Sequence, residues 1–432
     1  MSLPYFKIGG GNRLRGTVRL SGAKNAALPI MAACILCDGE VVLQDVPHNA
    51  DVKSLCDLLI KLGLEVERRP DGALRLVVQD EMNCKAEYDI VRKMRASVCV
   101  LGPLLAKRHR VQVAMPGGCA IGDRPVDLHV LAMKKLGAEV DLVGGDIIAK
   151  AKRLRGTEMF LGGPFGSTVL GTANAMMAAS LAEGTTTIEM AACEPEVVDL
   201  ANFLNACGAS ITGQGTPRIV IEGVKGLKGC TYRIIPDRIE AGTFMVAAAA
   251  TNGEIRLENA RMDHLSAFVD RLLAIGVEIE RNADGSTTVG SARRLEPIEV
   301  VTQTHPGFPT DLQAQLMTLL CLADGNSIIT EKIFPDRFLH VPELLRMGAR
   351  LHKIGATVVV QGVRKLVGAP VMASDLRASA ALVLAGLAAQ GATRVHRIYH
   401  IDRGYERIDE KLQALGADIE RREGDDESGE LP

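Results

Sequence analysis

A pattern in which an amphipathic segment gives way to an alternating one recurs six times along the chain. At each point an apolar residue is followed by glycine, a small or apolar residue, a polar residue and an aliphatic residue, as in Leu136-Gly-Ala-Glu-Val140. Glycine after a last helical turn predicts a helix end, because a left-handed cap costs little without a β-carbon. The alternation that follows predicts a strand. The glycines recur at intervals of roughly 70 residues and are Gly63, Gly137, Gly208, Gly276, Gly348 and Gly416.

A second helix-to-strand junction lies about 24 residues before each of these glycines, with Lys107 to Val111 as the one variant. Each segment therefore reads helix, strand, helix, strand, strand. The first helix of a segment is rich in alanine and apolar on nearly every side, which predicts burial on most sides. The second helix, such as Asp51 to Leu62, is amphipathic and is expected to face solvent. The alanine-rich stretches are 26–33, 173–182, 246–250 and 378–389.

A segment of this size cannot bury its apolar faces alone, so several must pack together. Six segments divided between two cores predict an α/β protein with three segments in each domain. We place one domain at residues 22–229 and the other at residues 1–21 plus 230–432. The opening strand, Phe6 to Leu20, is expected to complete the sheet of the last segment. The acidic tail 423–432 is expected to be disordered, because residues 423–430 lack apolar side chains.

Composition excludes several classes of protein. The chain has 432 residues and a formal net charge of -2, so it has no bulk attraction to nucleic acid. Its apolar runs are far shorter than a membrane span and its N-terminus lacks the apolar core of a signal peptide, which predicts a cytoplasmic protein. The ten cysteines show no disulfide-like spacing. Cys34 and Cys37 resemble half of a zinc site but have no second pair, so no metal and no cofactor is indicated.

Charged and polar residues stand where the apolar helices are predicted to begin. Lys24-Asn25, Arg95, Asp311 and Arg377 occupy equivalent positions in four of the six segments. Helix N-termini carry unpaired N–H groups and partial positive charge, so an added cation there favours an anion such as phosphate or carboxylate. The alternative for any one of them is a solvated charge at a helix start.

The connections that lead into the second helix of a segment carry further candidates, and the one in the second segment is longer than the one in the first. Met115 to His129 contains a thiol, Cys119, which follows two glycines and precedes Arg124. A nearby cation favours the thiolate or holds an anionic substrate, whereas the alternative is an incidental cysteine in a turn. A second such connection carries Arg403. His129 and His340 follow these connections and are interpreted as structural.

Several segments together resemble the UDP-N-acetylglucosamine 1-carboxyvinyltransferases, members of the enolpyruvyl transferase family. The resemblance spans nearly the whole chain. It implies a two-domain inside-out α/β barrel, in which each domain has three βαβαββ repeats. It also implies transfer of the enolpyruvyl group of phosphoenolpyruvate to the 3-hydroxyl of UDP-N-acetylglucosamine, with release of phosphate. The matching segments are Ser21 to Pro29, Met94 to Ser97, Gly117 to His129, Pro236 to Glu240, Phe308 to Gln315, Asp375 to Ser379 and Tyr399 to Arg407.

The resemblance also assigns roles to residues. Cys119 would protonate the methylene carbon, would form an adduct with phosphoenolpyruvate and would be the target of the epoxide antibiotic fosfomycin, and Asp311 would act as the base for the sugar hydroxyl. The groups that would hold phosphoenolpyruvate are Lys24, Asn25, Arg124, Arg377 and Arg403. The groups that correspond to the nucleotide-sugar site are Arg95, the segment Arg124, Pro125, Val126, Asp127 and Leu128, and the backbone near Ile333.

Two other functions remain open at this point. A 5-enolpyruvylshikimate-3-phosphate synthase would share the fold and the donor but would lack the cysteine-containing connection. A nonenzymatic repeat scaffold would not explain Lys24, Arg124, Asp311 and Arg403 together. The segment Gly163 to Gly171 departs from the family pattern by lacking a lysine, which leaves its part in diphosphate binding open. The sequence also leaves the oligomeric state open.

Overall fold

The computed structural model describes residues 3–91, 94–115, 126–291 and 294–424, the side chain of Arg95 excepted. These residues form two compact units, each with its own hydrophobic core. Unit I comprises the described residues between 21 and 236, and unit II comprises residues 3–20 together with those from 237 to 424. We placed the second boundary after Gly229. The structure places it after Pro236, because Thr231–Arg233 pairs with Val41–Gln44 inside unit I.

Two strands of unit II open the chain, and unit I follows. The opening strands are β1 (Tyr5–Gly9) and β2 (Arg15–Arg19). The first part of unit I comprises α1 (Lys24–Ala33), β3 (Cys37–Asp38), β4 (Val41–Gln44), α2 (Ala50–Lys61), β5 (Leu64–Arg68), β6 (Leu74–Val78), β7 (Lys85–Ala86), α3 (Tyr88–Val91), α4 (Leu101–Arg108), β8 (Arg110–Ala114), α5 (Asp127–Lys135), β9 (Glu139–Val143) and β10 (Asp146–Lys150). The rest of unit I comprises β11 (Glu158–Phe160), β12 (Gly162–Gly163), β13 (Gly166–Ser167), α6 (Val169–Ala179), β14 (Thr185–Glu189), α7 (Pro195–Ala206), β15 (Ser210–Thr212), β16 (Arg218–Glu222), β17 (Leu227–Lys228) and β18 (Thr231–Arg233).

Unit II continues from Asp237. Its elements are α8 (Arg238–Ala250), β19 (Glu254–Glu258), α9 (Ser266–Ile275), β20 (Val277–Arg281), β21 (Thr287–Ser291), β22 (Glu299–Val301), α10 (Gln313–Leu320), β23 (Asn326–Thr330), α11 (Val341–Arg346), β24 (Arg350–Ile354), β25 (Thr357–Gln361), β26 (Pro370–Met372), α12 (Leu376–Ala388), β27 (Ala392–His396), α13 (Ile408–Ala414) and β28 (Asp418–Arg422). Short 3-10 helices lead into α4, α9 and α10, and another precedes α13.

Each unit contains three four-stranded sheets, and all six sheets follow one plan. In the second repeat, edge strand β7 pairs in parallel with β8, β8 pairs antiparallel with β10, and β10 pairs antiparallel with β9. The predicted order of helix, strand, helix, strand, strand is confirmed in the first five segments, and in the sixth β1 supplies one of the two last strands. In every sheet an edge strand that pairs in parallel completes the set of four. The six sheet orders are β18-β4-β6-β5, β7-β8-β10-β9, β11-β14-β16-β15, β2-β19-β21-β20, β22-β23-β25-β24 and β26-β27-β1-β28.

Three of these sheets include a strand from a distant part of the sequence. In unit I, β18 supplies the edge strand beside β4. In unit II, β1 lies between β27 and β28, with Phe6 opposite both Val395 and Arg421. The expectation that the opening segment completes the last sheet is therefore confirmed for β1. It is wrong for residues 15–19, which form the separate strand β2 and pair in parallel with β19.

The alanine-rich helices occupy the centre of each unit, as their apolar surfaces predict. In unit II, α8, α10 and α12 pack against one another, and every residue of α8 is buried. In unit I, α6 packs against α4, and α1 packs against α6 and against the 3-10 helix before α4. Outer helices such as α2 bury only one side. Within the described ranges, no helix has the length and apolarity needed to cross a membrane.

Glycine ends the outer helix of all six repeats in the left-handed conformation. The six residues have φ between 85° and 102°, a region in which a β-carbon would clash with the backbone. The helix ends predicted from the sequence are thus confirmed. The glycines concerned are Gly63, Gly137, Gly208, Gly276, Gly348 and Gly416.

The position of β1 inside the last sheet gives a prediction about stability. Ile8 is fully buried between β27 and β28, so Ile8→Ala should lower the free energy of unfolding of unit II by about 2–5 kcal/mol. Differential scanning calorimetry would show the loss as a lowered transition temperature. Ile60→Ala is the control, because Ile60 is 51% exposed on α2 and the same substitution there should cost less than about 0.5 kcal/mol. Equal losses in the two variants would contradict the placement of β1.

Candidate active site

Lys24 is the first residue of α1, and its side chain is almost completely buried. Its Nζ donates to Asp51 Oδ2 at 3.1 Å, and Asp51 lies in the first turn of α2. The preceding residue, Ala23, makes no side-chain hydrogen bond that caps α1, and the cation of Lys24 stands at the positive end of the helix dipole. Asn25 follows it as a half-buried residue. The start of α1 therefore combines two features that favour anions.

The segment that carries Lys24 is fixed by close backbone contacts. Ala23 N–H donates to Ile235 O at 2.7 Å. A β-carbon on Gly22 would lie 1.8 Å from Asp45 O, so no other residue fits there without a shift of the backbone. The glycine of the motif Ser21-Gly-Ala-Lys24 thus permits an approach that sets the position of Lys24.

Three of the expected nucleotide-sugar residues lie at the start of α5. Val126 precedes the helix, Asp127 is its first residue and is exposed, and Leu128 is half-buried. The next residue, His129, is buried and lies 2.9 Å from Asn174 Nδ2, measured from its Nδ1. This contact joins α5 to α6 and is consistent with a structural histidine.

Three expected site residues lie outside the described residues: Cys119, Arg124 and Pro125. Their roles stay predictions. Arg95 begins the 3-10 helix Arg95–Val100 at the entry to α4, the position expected from the sequence, but its side chain is not described.

In unit II, Asp311 lies between two buried arginines. It belongs to the 3-10 helix Thr310–Leu312 that leads into α10. Arg337 Nη1 donates to its Oδ1 at 2.8 Å, and Arg377 Nη2 donates to its Oδ2 at 2.9 Å. The side chain of Asp311 remains 26% exposed. A carboxylate offers about four lone-pair directions, so the two arginines do not saturate it by themselves.

The two arginines determine the protonation state of Asp311. Burial alone would raise the pKa of this carboxyl, but Arg377 and then Arg337 outweigh burial and hold its pKa well below the usual 3.8. The pKa of Arg377 changes in the opposite sense, because Asp311 overcomes the lowering that burial causes. Asp311 and Arg377 are therefore both charged at neutral pH.

Arg377 is positioned by the start of α12. Asp375 caps this helix by accepting the backbone N–H of Arg377 at 2.9 Å and that of Ala378 at 3.1 Å. The guanidinium carbon lies 5.5 Å from the centre of the Tyr405 ring, a distance at which a cation is attracted to the ring face. Its buried Nε has no hydrogen-bond partner among the described residues, so one donor of this arginine is available.

Arg403 ends the 3-10 helix Ile398–Arg403, two residues before Tyr405. The neighbouring residue, Asp402, receives two hydrogen bonds of 2.8 Å from Arg421 on β28. A bidentate pair of this kind fixes orientation as well as distance. His400 lies in the same helix, and burial followed by the charge of Arg403 lowers its pKa.

Ile333 lies in the connection that follows β23, and its backbone N–H donates to Glu331 Oε1 at 2.8 Å. A ligand contact through the backbone of Ile333 would therefore use its carbonyl oxygen. The connection also contains Arg337, so the structure brings the region of Ile333 to Asp311 through that arginine.

The sequence did not identify four residues that organise these sites. Tyr405 lies within a segment quoted for its resemblance. Arg337 lies in the connection before His340, where an arginine is itself a signal. Asp51, the partner of Lys24, and Glu331 carried no comparable signal, because their partners are distant in sequence. No group of three or more metal-binding side chains suited to an ion occurs within the described ranges.

Taken together, the described residues provide an ionised carboxylate that can accept a proton and several fixed cations that can hold anionic groups. In unit I, Lys24 is such a cation, and Asn25 lies beside it. In unit II, Asp311 is the carboxylate, and Arg377 and Arg403 are the cations. Groups of this kind suit transfer chemistry on a phosphorylated or carboxylated substrate.

Comparison with solved structures identifies the class of protein. The chain superimposes on the enolpyruvyl transferase NikO from Streptomyces tendae with a TM-score of 0.88 and 25% sequence identity, covering 98% of this chain and 99% of that one. An EPSP synthase from Acinetobacter baumannii shares the fold, with a TM-score of 0.74 and 18% identity over 97% of this chain and 100% of that one. The fold and the cationic helix starts thus define an enolpyruvyl transferase.

Sequence comparison narrows the class. The family model described as EPSP synthase (3-phosphoshikimate 1-carboxyvinyltransferase) matches residues 8–412. A UDP-N-acetylglucosamine 1-carboxyvinyltransferase from Methylacidiphilum infernorum is 52% identical over 96% of this chain and 98% of its own length. One of the same name from Akkermansia muciniphila is 52% identical, over 97% and 99% respectively. The chain belongs to the UDP-N-acetylglucosamine 1-carboxyvinyltransferases within this family, which confirms the resemblance.

The arginine pair of Asp311 gives a prediction about stability and pH. The pKa of Asp311 in the folded protein lies below its value of about 3.9 in an unfolded chain. The stability that it contributes is therefore present at neutral pH and is lost as the pH falls below about 4 towards the folded-state pKa. Wild type should be more stable than Asp311→Asn at pH 7, and urea unfolding should show this difference shrinking by pH 3.

The control is Asp270→Asn, which removes a carboxylate that is 65% exposed on α9 of the same unit. Its effect should stay below about 0.5 kcal/mol throughout. A difference between wild type and Asp311→Asn that does not change with pH would contradict the ionised, arginine-paired state.

Proposed function

We propose that this chain transfers the enolpyruvyl group of phosphoenolpyruvate to the 3-hydroxyl of UDP-N-acetylglucosamine and releases phosphate, the first committed step of peptidoglycan synthesis. The observation that carries the proposal is the identity of 52% over 96% of the chain with a relative named for that activity. Both substrates are cytoplasmic metabolites, so we place the enzyme in the cytoplasm.

The reaction proceeds by addition and elimination through a tetrahedral ketal. It needs an acid for the methylene carbon, a base for the sugar hydroxyl and cations that hold phosphate and carboxylate. We assign the acid to Cys119, as the resemblance implies. The cations are Lys24 and Arg124 from one part of the sequence and Arg377 and Arg403 from another, with Asn25 positioning the donor.

We assign the base to Asp311, and the described contacts support this role in two ways. Its carboxylate is ionised at neutral pH and retains exposure through which a hydroxyl can reach it. Its low pKa makes it a weak base in the ligand-free protein. An anion bound to Arg377 would share the charge of that guanidinium, weaken its attraction for Asp311 and raise the pKa of Asp311. Donor binding would thus strengthen the base when it is needed.

The nucleotide sugar is assigned to Arg95, to the segment from Arg124 through Pro125, Val126 and Asp127 to Leu128, and to the Ile333 carbonyl. The exposure of Asp127 at the start of α5 is compatible with contact to a ligand. The short hairpin formed by β12 and β13 precedes α6. Thr168 caps the N-terminus of α6, because its hydroxyl accepts a hydrogen bond from the backbone N–H of Gly171 at 3.3 Å.

A second acceptor deserves a direct test, because the matching family model is described by the activity of 3-phosphoshikimate 1-carboxyvinyltransferase. Phosphate release from phosphoenolpyruvate should be measured with UDP-N-acetylglucosamine and, separately, with shikimate 3-phosphate. We expect turnover with the nucleotide sugar alone. Turnover with shikimate 3-phosphate alone would refute the proposal and would show that the chain has the activity of a 3-phosphoshikimate 1-carboxyvinyltransferase.

Asp311→Asn should abolish most turnover while nucleotide-sugar affinity is retained. Asparagine keeps the size and one acceptor oxygen but cannot take the hydroxyl proton, so kcat should fall by about two to four orders of magnitude. Steady-state phosphate release measures kcat, and calorimetric titration with UDP-N-acetylglucosamine confirms a folded site. Asp270→Asn should behave as wild type. Activity of Asp311→Asn within about threefold of wild type would refute the assignment of the base.

Fosfomycin should alkylate Cys119 and no other thiol. Intact mass spectrometry should show one adduct, which peptide mapping should place at Cys119. Buried thiols should not react: burial raises the pKa of Cys34 well above its usual value and that of Cys321 to about 12, which keeps both protonated. Cys119→Asp should lose the adduct and keep activity, because a carboxylic acid can also donate a proton. An adduct at Cys34 or Cys321 would refute the assignment.

A further inference from the structure

Glu331 is a completely buried carboxylate at the end of β23 that accepts four hydrogen bonds. Its Oε1 accepts from the Thr302 hydroxyl at 2.7 Å and from the backbone N–H groups of Ile333 at 2.8 Å and Phe334 at 3.0 Å. Its Oε2 accepts from the Thr310 hydroxyl at 2.9 Å. Oε1 thus accepts three hydrogen bonds and Oε2 accepts one, so both carboxylate oxygens are fixed by protein donors. Glu331 is therefore held in one orientation and holds its four partners in turn.

The Oε2 contact leads directly to Asp311. A hydroxyl has one proton, and Thr310 commits it to Glu331, which leaves its lone pairs to accept from Arg337 Nη1 at 3.0 Å. The same Nη1 donates to Asp311 Oδ1 at 2.8 Å. The direction of the Thr310 hydroxyl is thus fixed by Glu331. That hydroxyl and Asp311 together fix the guanidinium of Arg337.

The Oε1 contacts lead to the same arginine by another route. They fix the turn at Ile333 and Phe334, and the Phe334 ring lies 5.8 Å from the guanidinium carbon of Arg337. Both oxygens of Glu331 therefore act on Arg337, one through a hydroxyl and the other through a ring. Charge adds to this effect, because the connected network contains two carboxylates, Glu331 and Asp311, with the two guanidiniums of Arg337 and Arg377.

We infer that Glu331 is a positioning residue for enolpyruvyl transfer, which acts on Asp311 through Thr310 and Arg337 and orients the backbone at Ile333. The inference rests on the proposed function. Glu331 itself touches no reacting atom in this account. It sets the angle from which Asp311 meets the sugar hydroxyl, and it supplies the second negative charge that keeps Arg337 from binding Asp311 more tightly.

The alternative is a purely structural role, in which Glu331 only stabilises the turn after β23. The two roles differ in what the Thr310 hydroxyl contributes. A structural role predicts that this hydroxyl affects stability alone. A positioning role predicts that its loss lowers kcat while the KM for UDP-N-acetylglucosamine stays nearly constant, because the turn and its Oε1 contacts remain.

The decisive experiment compares Thr310→Val, Thr310→Ser and Thr330→Val by steady-state phosphate release. Thr310→Val should lower kcat by about tenfold to a hundredfold with KM changed less than about threefold, since small displacements of a reacting group have effects of this size. Thr310→Ser keeps the hydroxyl and should restore kcat to within about threefold of wild type. Thr330→Val is the matched control, because its hydroxyl contacts Thr357 at 3.0 Å and lies outside the network. It should leave kcat unchanged.

Glu331→Gln provides a second, independent test. The amide oxygen can keep the backbone contacts, but the amide nitrogen cannot accept from Thr310, so kcat should fall as in Thr310→Val. Combined with Thr310→Val it should add little, since both changes break one contact. If Glu331→Gln fails to fold, the Thr310 variants still decide the matter.

Normal kcat in Thr310→Val, or equal losses in Thr310→Val and Thr310→Ser, would overturn the inference. A wild-type enzyme that releases no phosphate with UDP-N-acetylglucosamine would instead overturn the proposed function, so the two failures are distinguishable.

Discussion

A helix that is apolar on every side is stable only when it is buried, and the rest of this structure depends on that constraint. Three such helices, α8, α10 and α12, must cover one another in unit II, which leaves the sheets and the amphipathic helices outside. The packing has a chemical result. Asp311 at the entry to α10 and Arg377 at the start of α12 come within 2.9 Å, although 66 residues separate them. The core therefore assembles the polar cluster at its own edge.

Charged groups at these helix starts are stabilised mainly by one another. A cation at a helix N-terminus opposes the helix dipole, and burial adds a desolvation penalty. Lys24 offsets both costs through Asp51, and Arg377 does so through Asp311. The pair of Arg377 and Asp311 also leaves capacity for a ligand, since the buried Nε of Arg377 has no hydrogen-bond partner among the described residues. An anionic substrate can then exchange with an internal partner instead of entering an uncompensated site.

The sequence was sufficient for features that depend on local chemistry. Glycine after a helix, alternation after glycine and alanine-rich stretches gave the repeat, and polar residues at the predicted helix starts gave Lys24, Asp311 and Arg377. Features that depend on distant pairing were not accessible. Edge strands such as Lys85–Ala86 are too short to show a period, and the split of the opening segment follows from its pairing with β19 and β27. Glu331 resembles any surface glutamate until Thr302 and Thr310 are found beside it.

The place of β1 has a consequence for the order in which the molecule can be made. Both of its neighbours, β27 and β28, lie in the last 41 residues of the chain. On the ribosome, β1 emerges long before β27 and β28, and neither of its hydrogen-bonded edges can be covered until those strands are made. All sheets of unit I, by contrast, draw only on residues up to 233 and can close during synthesis. Until β28 has been made, β1 has exposed hydrogen-bonding edges that can pair with other chains, so the nascent protein is vulnerable to aggregation at a strand that the finished sheet covers on both sides.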